Sequence, residues 1–290
     1  MSKYVITTDS TVDLGLERVN ELGVPYVCMR YVKKGVEHLD DMRDETANAI
    51  FEAMRGGESF STVQTSCDEL TELWRPILMD GADVIHLAFS SGLSGSHNSA
   101  RLAAEILKDE YPERKIYVID SLCASGGQGL LLEHMMMKRG EGASVDECID
   151  WTEKNKLRIE HWFTVSELSY LRRGGRISAA KAFVADMLHI KPVLDMDRDG
   201  KLAQREIVKG RRGSIKKMFE HMCESISLHE NPFVRIAHAD CISDAKYLAE
   251  LIKGRFNGMI VRISSIGSAI GAHSGPGTLA LFFISKCARI

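Results

Sequence analysis

Ser90-Ser91-Gly92-Leu93-Ser94-Gly95-Ser96-His97-Asn98-Ser99-Ala100 lies between an apolar run, Val84–Phe89, and a segment, Ala100–Leu107, whose apolar residues recur at helical spacing. The run reads as a strand, so the stretch is a strand-to-helix loop rich in glycine and hydroxyls. Such a loop presents free backbone N–H groups and the positive end of a helix, and both favour an anion. Its glycines allow close backbone approach, and its serines add O–H donors. Two readings stand side by side: a cradle for a phosphate or carboxylate head group, and ordinary capping by Ser and Asn.

The same strand-then-helix order recurs on either side. Tyr4–Thr7 reads as a buried first strand, followed by Thr8-Asp9-Ser10-Thr11 and a helix over Asp13–Leu22 capped by Ser10 or Thr11. Tyr26–Val32 is a further strand candidate, Lys33–Glu45 a polar loop, and Thr46–Arg55 a helix stopping at Gly56-Gly57. Ser66 is placed to cap the amphipathic segment Glu69–Met79, and Ile116–Ile119 is a strand ending at Asp120-Ser121. Ala124–Gly129 opens a Met- and Leu-rich helix. Strands alternating with helices predict a parallel sheet with covered faces. Asp9, Ser90 and Asp120 then sit just beyond the C-terminal strand ends, where open α/β sheets bind ligands.

The character changes near Glu160, which divides the chain into domains of residues 1–160 and 161–290. Glu167–Arg173 reads as a short helix ended by Gly174-Gly175, and Ile177–His189 as helical. Ile266–Gly277 reads as a glycine-rich, constrained loop that holds His273 just before Gly275-Pro276-Gly277. Asp195-Met196-Asp197-Arg198-Asp199-Gly200, with Glu206, matches a calcium-loop pattern. That pattern needs flanking helices. Pro192 disfavours one before it, Lys201–Lys209 alternates like a strand after it, and Asp199-Gly200 between strands signals a hairpin.

The 290 residues carry 37 Lys+Arg against 40 Asp+Glu, a balance that does not suggest nucleic acid or an acidic membrane surface. Met1-Ser2-Lys3 runs straight into a strand, so no signal peptide is expected, and no apolar run is long enough to span a bilayer. Seven scattered cysteines with no Cys-x-x-Cys pair suggest a cytoplasmic, thiol-containing protein with neither a disulfide framework nor a zinc site.

Three further constellations bear on chemistry. Thr65-Ser66 sets two hydroxyls at a helix start, which suits an oxyanion or a plain N-cap. Arg172-Arg173-Gly174-Gly175-Arg176 clusters guanidiniums about a glycine break, which suits a carboxylate or phosphate, or simply a helix end. Lys209-Gly210-Arg211-Arg212-Gly213 is a second basic cluster. Ser94 with His273 and either Asp9 or Asp120 has the residue types of a hydrolase triad, although the G-x-S-x-G elbow is absent.

Taken in order, these motifs resemble the DegV family of bacterial fatty-acid-binding proteins. The matching pieces are Thr8-Asp9-Ser10-Thr11-Val12-Asp13-Leu14, Thr65-Ser66, Ser90–Gly95 with Asn98-Ser99-Ala100, Asp120-Ser121, Leu171–Ser178, Lys191-Pro192-Val193-Leu194 and Ile270–Gly277. The resemblance implies a two-domain α/β protein, with an N-terminal parallel-sheet domain and a C-terminal domain with a mixed sheet. It implies one long-chain fatty acid in a tunnel between them and no other cofactor, metal or catalysis of its own. The head group would meet Thr65, Ser66, Ser91, Ser94, Gly95, Arg176, Gly271 and His273. In some members the acid is presented to a separate fatty acid kinase and the acyl phosphate is then held; Arg173 and Arg211 would face that partner. The alternative is an enzyme, a serine hydrolase or phosphotransferase using Ser94 and His273. The family often continues its Thr-Ser pair as Thr-Ser-x-Pro-Ser, whereas here Asp68 and Glu69 stand in place of Pro and Ser. A tail of about fifteen methylenes would contribute on the order of 12 kcal/mol before entropy costs. Candidate linings are Met135–Met137, Phe163, Phe183, Met187, Ile266 and Leu279–Ile284.

Overall fold

A computed structural model describes residues 3–177 and 190–289. The expected helix Ile177–His189, with Phe183 and Met187, lies outside the described residues apart from Ile177. β1 (Tyr4–Asp9) pairs in parallel with β2 (Tyr26–Val27) on one side and β6 (Asp83–Ala88) on the other, and β7 (Ile116–Asp120) extends the sheet beyond β6. β6 is buried at every position, as a parallel strand covered on both faces must be. Its side chains alternate between the two faces. Val84 packs with Leu70 and Trp74 of α3 (Cys67–Met79) and Ala103 and Leu107 of α4 (Ser96–Glu110). Ile85 and Leu87 pack instead in the cluster of Leu130–Leu132 on α5 (Gly126–Gly140), which α6 (Val145–Asn155) follows.

Three local expectations are corrected. Ser10–Val12 is a 3-10 turn capped by Asp9, Asp13 takes a left-handed conformation, and α1 starts only at Leu16 (Leu16–Leu22). Tyr26–Val32 is not one strand: β3 (Arg30–Lys33) joins a separate antiparallel sheet with β4 (Val36–Leu39) and β5 (Ser61–Val63). β4 falls inside the expected polar loop. All four of its residues are exposed, so it has no buried face for hydrophobic alternation to reveal. α2 (Asp44–Arg55) follows it.

The second sheet has the order β10-β9-β8-β13-β11-β12. It comprises β8 (Ile159–Thr164), β9 (Ile190–Met196), β10 (Leu202–Lys209), β11 (Phe233–His238), β12 (Ile260–Ser265) and β13 (Leu279–Ile284). It is mixed: β11 and β12 are parallel, while the last strand, β13, lies antiparallel between β8 and β11. Alternation splits β13 between two layers. Leu279, Leu281 and Phe283 pack with Met218 and Met222 of α8 (Arg211–Ser225) and Leu248 and Ile252 of α9 (Ile242–Arg255). Ala280 and Phe282 face the other way, towards Phe163 and the first half of the chain. α7 (Leu168–Arg173) and α10 (Ser268–Ser274) complete the fold. α10 occupies the middle of the stretch read as a glycine-rich loop.

The aspartate-rich turn is the tip of the β9–β10 hairpin. Asp195 pairs with Arg205, Glu206 with His221 and Lys217, and an Asp197 carboxylate oxygen accepts the Asp199 and Lys201 N–H groups. These carboxylates are engaged within the hairpin and with α8. Among the described residues no helix of sufficient length and apolarity to cross a membrane is present.

Candidate functional site

An apolar slot lies between the inner face of the second sheet and the first half of the chain. Met29, Phe89 and Leu93 wall it from one side, and Phe163, Met196, Leu202, Ala280 and Phe282 from the other. The strand register gives its direction. Thr278, Ala280 and Phe282 line it along one strand, and Phe163 and His161 stand opposite Ala280 and Phe282 on β8. Four residues at strand rise span about 13 Å.

One end of this apolar slot is polar. Thr62, Arg176, His273 and Ser274 gather there. His273 Nε2 lies 2.8 Å from Thr62 Oγ1, while His273 Nδ1 and the Ser274 hydroxyl are buried without a partner among the described residues. Each residue is held by local structure. α7 stops at Gly174, and Gly175 in a left-handed conformation turns the chain so that Arg176 donates back to the Gly174 carbonyl. A Cβ on Gly174 would collide with the His273 ring, so only glycine lets the two loops approach. α10, which carries His273, is fastened at its start by two aspartates of the first half. Gly267 N–H donates to Asp13 at 2.9 Å and Ser268 N–H to Asp40 at 2.9 Å. Burial raises the Asp40 carboxyl to about 6 and the Asp13 carboxyl well above the ordinary range.

Burial, with the nearby Arg176 charge, lowers His273 from 6.5 to about 4, so its ring is neutral at pH 7. A base with a depressed folded pKa stabilises the fold fully above its unfolded value, and that stability is lost as pH falls through 6.5 towards 4. Thermal unfolding of ligand-free protein between pH 7 and 4.5 is therefore expected to shift less in His273→Gln than in the wild type. Equal shifts would contradict this environment for the ring.

The structure brings Arg176 and His273 to the slot; Thr65, Ser66, Ser91, Ser94, Gly95 and Gly271 are not among its lining residues. Thr65 and Ser94 instead meet at Ser96: the Ser96 hydroxyl lies 3.3 Å from Thr65 N and 3.0 Å from Ser94 Oγ. Gly95 packs beneath Gln64, whose amide donates to Ser99. Ser66 forms a capping box with Glu69, and Glu69 also pairs with Arg30. Burial works to raise the Glu69 pKa, but these bonds hold it below the ordinary carboxylate range. Asp68 is exposed, so neither acid of the altered Thr-Ser continuation faces the slot. Ser91 is exposed, with its N–H on Asp120. Gly271 lacks a Cβ because the Phe51 ring occupies that space.

The Ser90 loop engages part of its own backbone. Its Gly92, Leu93, Ser94 and Ser96 N–H groups are used by Ser90 and Ser94 within the loop. Ser90 itself donates to the Gly200 carbonyl at 2.7 Å, tying the loop to the hairpin tip. Nor is a triad assembled: Ser94 bonds to Ser96, His273 to Thr62, Asp9 to Thr11 and Phe89 N, and Asp120 to the turn amides. Of the basic residues, Arg173 is exposed over the Tyr170 ring, whereas Arg211 is paired with Asp244. Of the expected linings, Phe163, Ile266, Ala280 and Phe282 do face the slot. Met135 is core, Met137 is exposed, and Leu279, Leu281 and Phe283 face α8 and α9. Sequence reasoning passed over Thr62; the Ser/Thr alternation of Ser59–Thr65 was the available signal.

Comparison with known proteins agrees with this architecture. A family model described as the DegV family of uncharacterised proteins matches residues 3–286. A DegV domain-containing protein of Clostridium perfringens is 37% identical over 285 residues, covering 98% of each chain. The solved structure of a Thermus thermophilus DegV family protein, described by its fatty acid binding, is similar at 26% identity with a TM-score of 0.86 over 98% of this chain and 99% of that one. A Thermotoga maritima protein whose structure is described as revealing fatty acid binding is similar at 25% identity with a TM-score of 0.84, covering 98% of this chain and 100% of that one. Sequence and fold both match along nearly the whole length, and the chain belongs to the DegV family.

Proposed function

We propose that the slot holds one long-chain fatty acid between domains 1–160 and 161–290, with its carboxylate at Thr62, Arg176, His273 and Ser274. One observation carries this reading: an apolar slot ends in a buried imidazole nitrogen and a buried hydroxyl, both unpartnered among the described residues, beside a guanidinium. Buried polar groups without partners are costly unless something supplies them. A carboxylate accepts from all three, and a hydrocarbon tail suits the walls behind. The fatty acid binding described for the Thermus and Thermotoga relatives supports the same ligand class. Thr65 and Ser94, joined through Ser96 close along the chain from Thr62, brace this end.

On this reading the protein is a cytoplasmic carrier with no chemistry of its own. It offers the acid to a separate fatty acid kinase across the face bearing Arg173, while Arg211 serves the fold through Asp244.

The test compares ligands as well as variants. Arg176→Ala and His273→Ala are each expected to weaken palmitate binding by about 10–100-fold, the worth of a charge-assisted bond, measured by titration calorimetry. Binding of the matching long-chain alcohol is expected to change much less. Equal losses for acid and alcohol would show that these residues do not meet the carboxylate.

A further inference from the structure

We propose that His161, held by the Leu122–Ala124 turn that Arg289 ties down, is the stop that sets how long an acyl chain the slot accepts. The inference rests on the fatty-acid reading above. The slot runs from the polar end at Thr278 along β13 to Phe282, and His161 stands opposite Phe282 on β8. Continuing the register, Met196 on β9 falls beside His161, and Leu202 on β10 pairs with Met196. These four side chains form a row across neighbouring strands at the end remote from His273. Three are apolar, and the fourth is an imidazole.

That imidazole is fixed. Its Nε2 accepts the Ala124 N–H at 3.1 Å, so Nδ1 carries the proton and donates to the Ile159 carbonyl at 2.9 Å. The ring packs edge-on against Phe282, with centroids 5.3 Å apart. Gly126 and Gly127 at the start of α5 leave room for Phe282 and His161 respectively, and a Cβ on either would collide with its ring. The His161 ring is therefore packed tightly against the first turn of α5.

Behind the ring stands a charge. Arg289, in the segment after β13, donates from Nη2 to the Leu122 carbonyl at 2.7 Å, and its Nη1 lies 3.2 Å from His161 Nδ1 as a contact of two donors, not a hydrogen bond. The Arg289 backbone N–H is itself bonded to the Leu157 carbonyl at 2.7 Å. Leu122 and Ser125 both have positive φ, so the turn that presents Ala124 to His161 is strained and depends on such ties. A tail reaching past His161 would meet a buried guanidinium rather than more apolar wall. Length selection follows, because a methylene added before the stop gains roughly fourfold in affinity and one added beyond it gains nothing. His161 is thus a specificity-determining residue and Arg289 the residue that positions it.

The experiment loads purified full-length chain with an equimolar mixture of straight-chain saturated acids of graded length, then extracts and quantifies what is retained. His161→Ala and Arg289→Ala are each expected to shift the retained distribution towards longer chains relative to wild type. Arg289→Ala removes no atom of the slot wall, so a shift there reports loss of positioning. Ala124→Val, at a half-buried position of the same end, is expected to shift it towards shorter chains. Unchanged distributions in the folded variants, with acid still bound, would overturn the proposal and leave the fatty-acid reading intact. Wild-type protein that retains no acid would instead overturn that reading.

Discussion

Replacing Glu133 with alanine is expected to lower the free energy of unfolding by about 3–5 kcal/mol, as for a buried ion pair that loses one partner. Glu133 sits on α5 with its side chain 1% exposed, and it accepts from Arg235 at 2.6 Å, from Arg18 at 2.9 Å and from Arg262. Arg18 belongs to α1, Arg235 to β11 and Arg262 to β12, so one carboxylate joins elements of both halves. The three arginines will not suffer equally. Arg18 and Arg262 are about a third exposed and can turn to water, whereas the Arg235 side chain is 3% exposed and its Nε already lacks a partner. Burial already lowers the Arg235 pKa against the pull of Glu133, so removing the carboxylate strands that charge. Arg18→Ala, which breaks its partly exposed pairs with Glu133 and Glu21, is expected to cost less than about 1 kcal/mol. Chemical denaturation of both variants checks this. A loss in Glu133→Ala no larger than in Arg18→Ala would show that the buried cluster does not hold the halves together.

Ala280→Trp is expected to abolish fatty acid retention, lowering affinity by about a thousandfold or more. Ala280 lies midway along the slot, opposite Phe163, on the central strand of the second sheet. An indole there fills the path of the tail. Denying burial to about five methylenes removes about 4 kcal/mol, close to a thousandfold. The added ring also crowds Phe163, so the ligand-free protein is expected to lose the about 1–3 kcal/mol that overpacking costs while remaining folded. Native mass spectrometry of the variant beside the wild type checks retention, and thermal melts of the ligand-free proteins check stability. Full occupancy in a folded Ala280→Trp protein would place the ligand elsewhere.

Much of this arrangement was legible in the residues, for identifiable reasons. The parallel first sheet follows from near-continuous apolar runs such as Val84–Phe89, and the β9–β10 hairpin from alternation about Asp199-Gly200. His273 and Arg176 stood out because glycine-constrained turns held them. The Ser90 loop is ambiguous because glycine and serine suit an anion and also suit one another: its hydroxyls and carbonyls engage the Gly92, Leu93, Ser94 and Ser96 amides. β4 was hidden because no side chain of it is buried. Thr62 was passed over because its role depends on α10 docking against β5, a contact between residues 211 positions apart. The slot walls were only half readable. Leu279–Ile284 is uniformly apolar, and only the register on β8 shows that Ala280 and Phe282 face the ligand side.

The most direct measurement is a crystal structure of the chain loaded with a long-chain fatty acid. We predict the carboxylate within hydrogen-bond reach of Thr62, Arg176 and His273, with the tail running along Ala280 and ending at Phe282 and His161. An acid bound with its carboxylate away from His273, or a slot that stays empty when the acid is in excess, would contradict it.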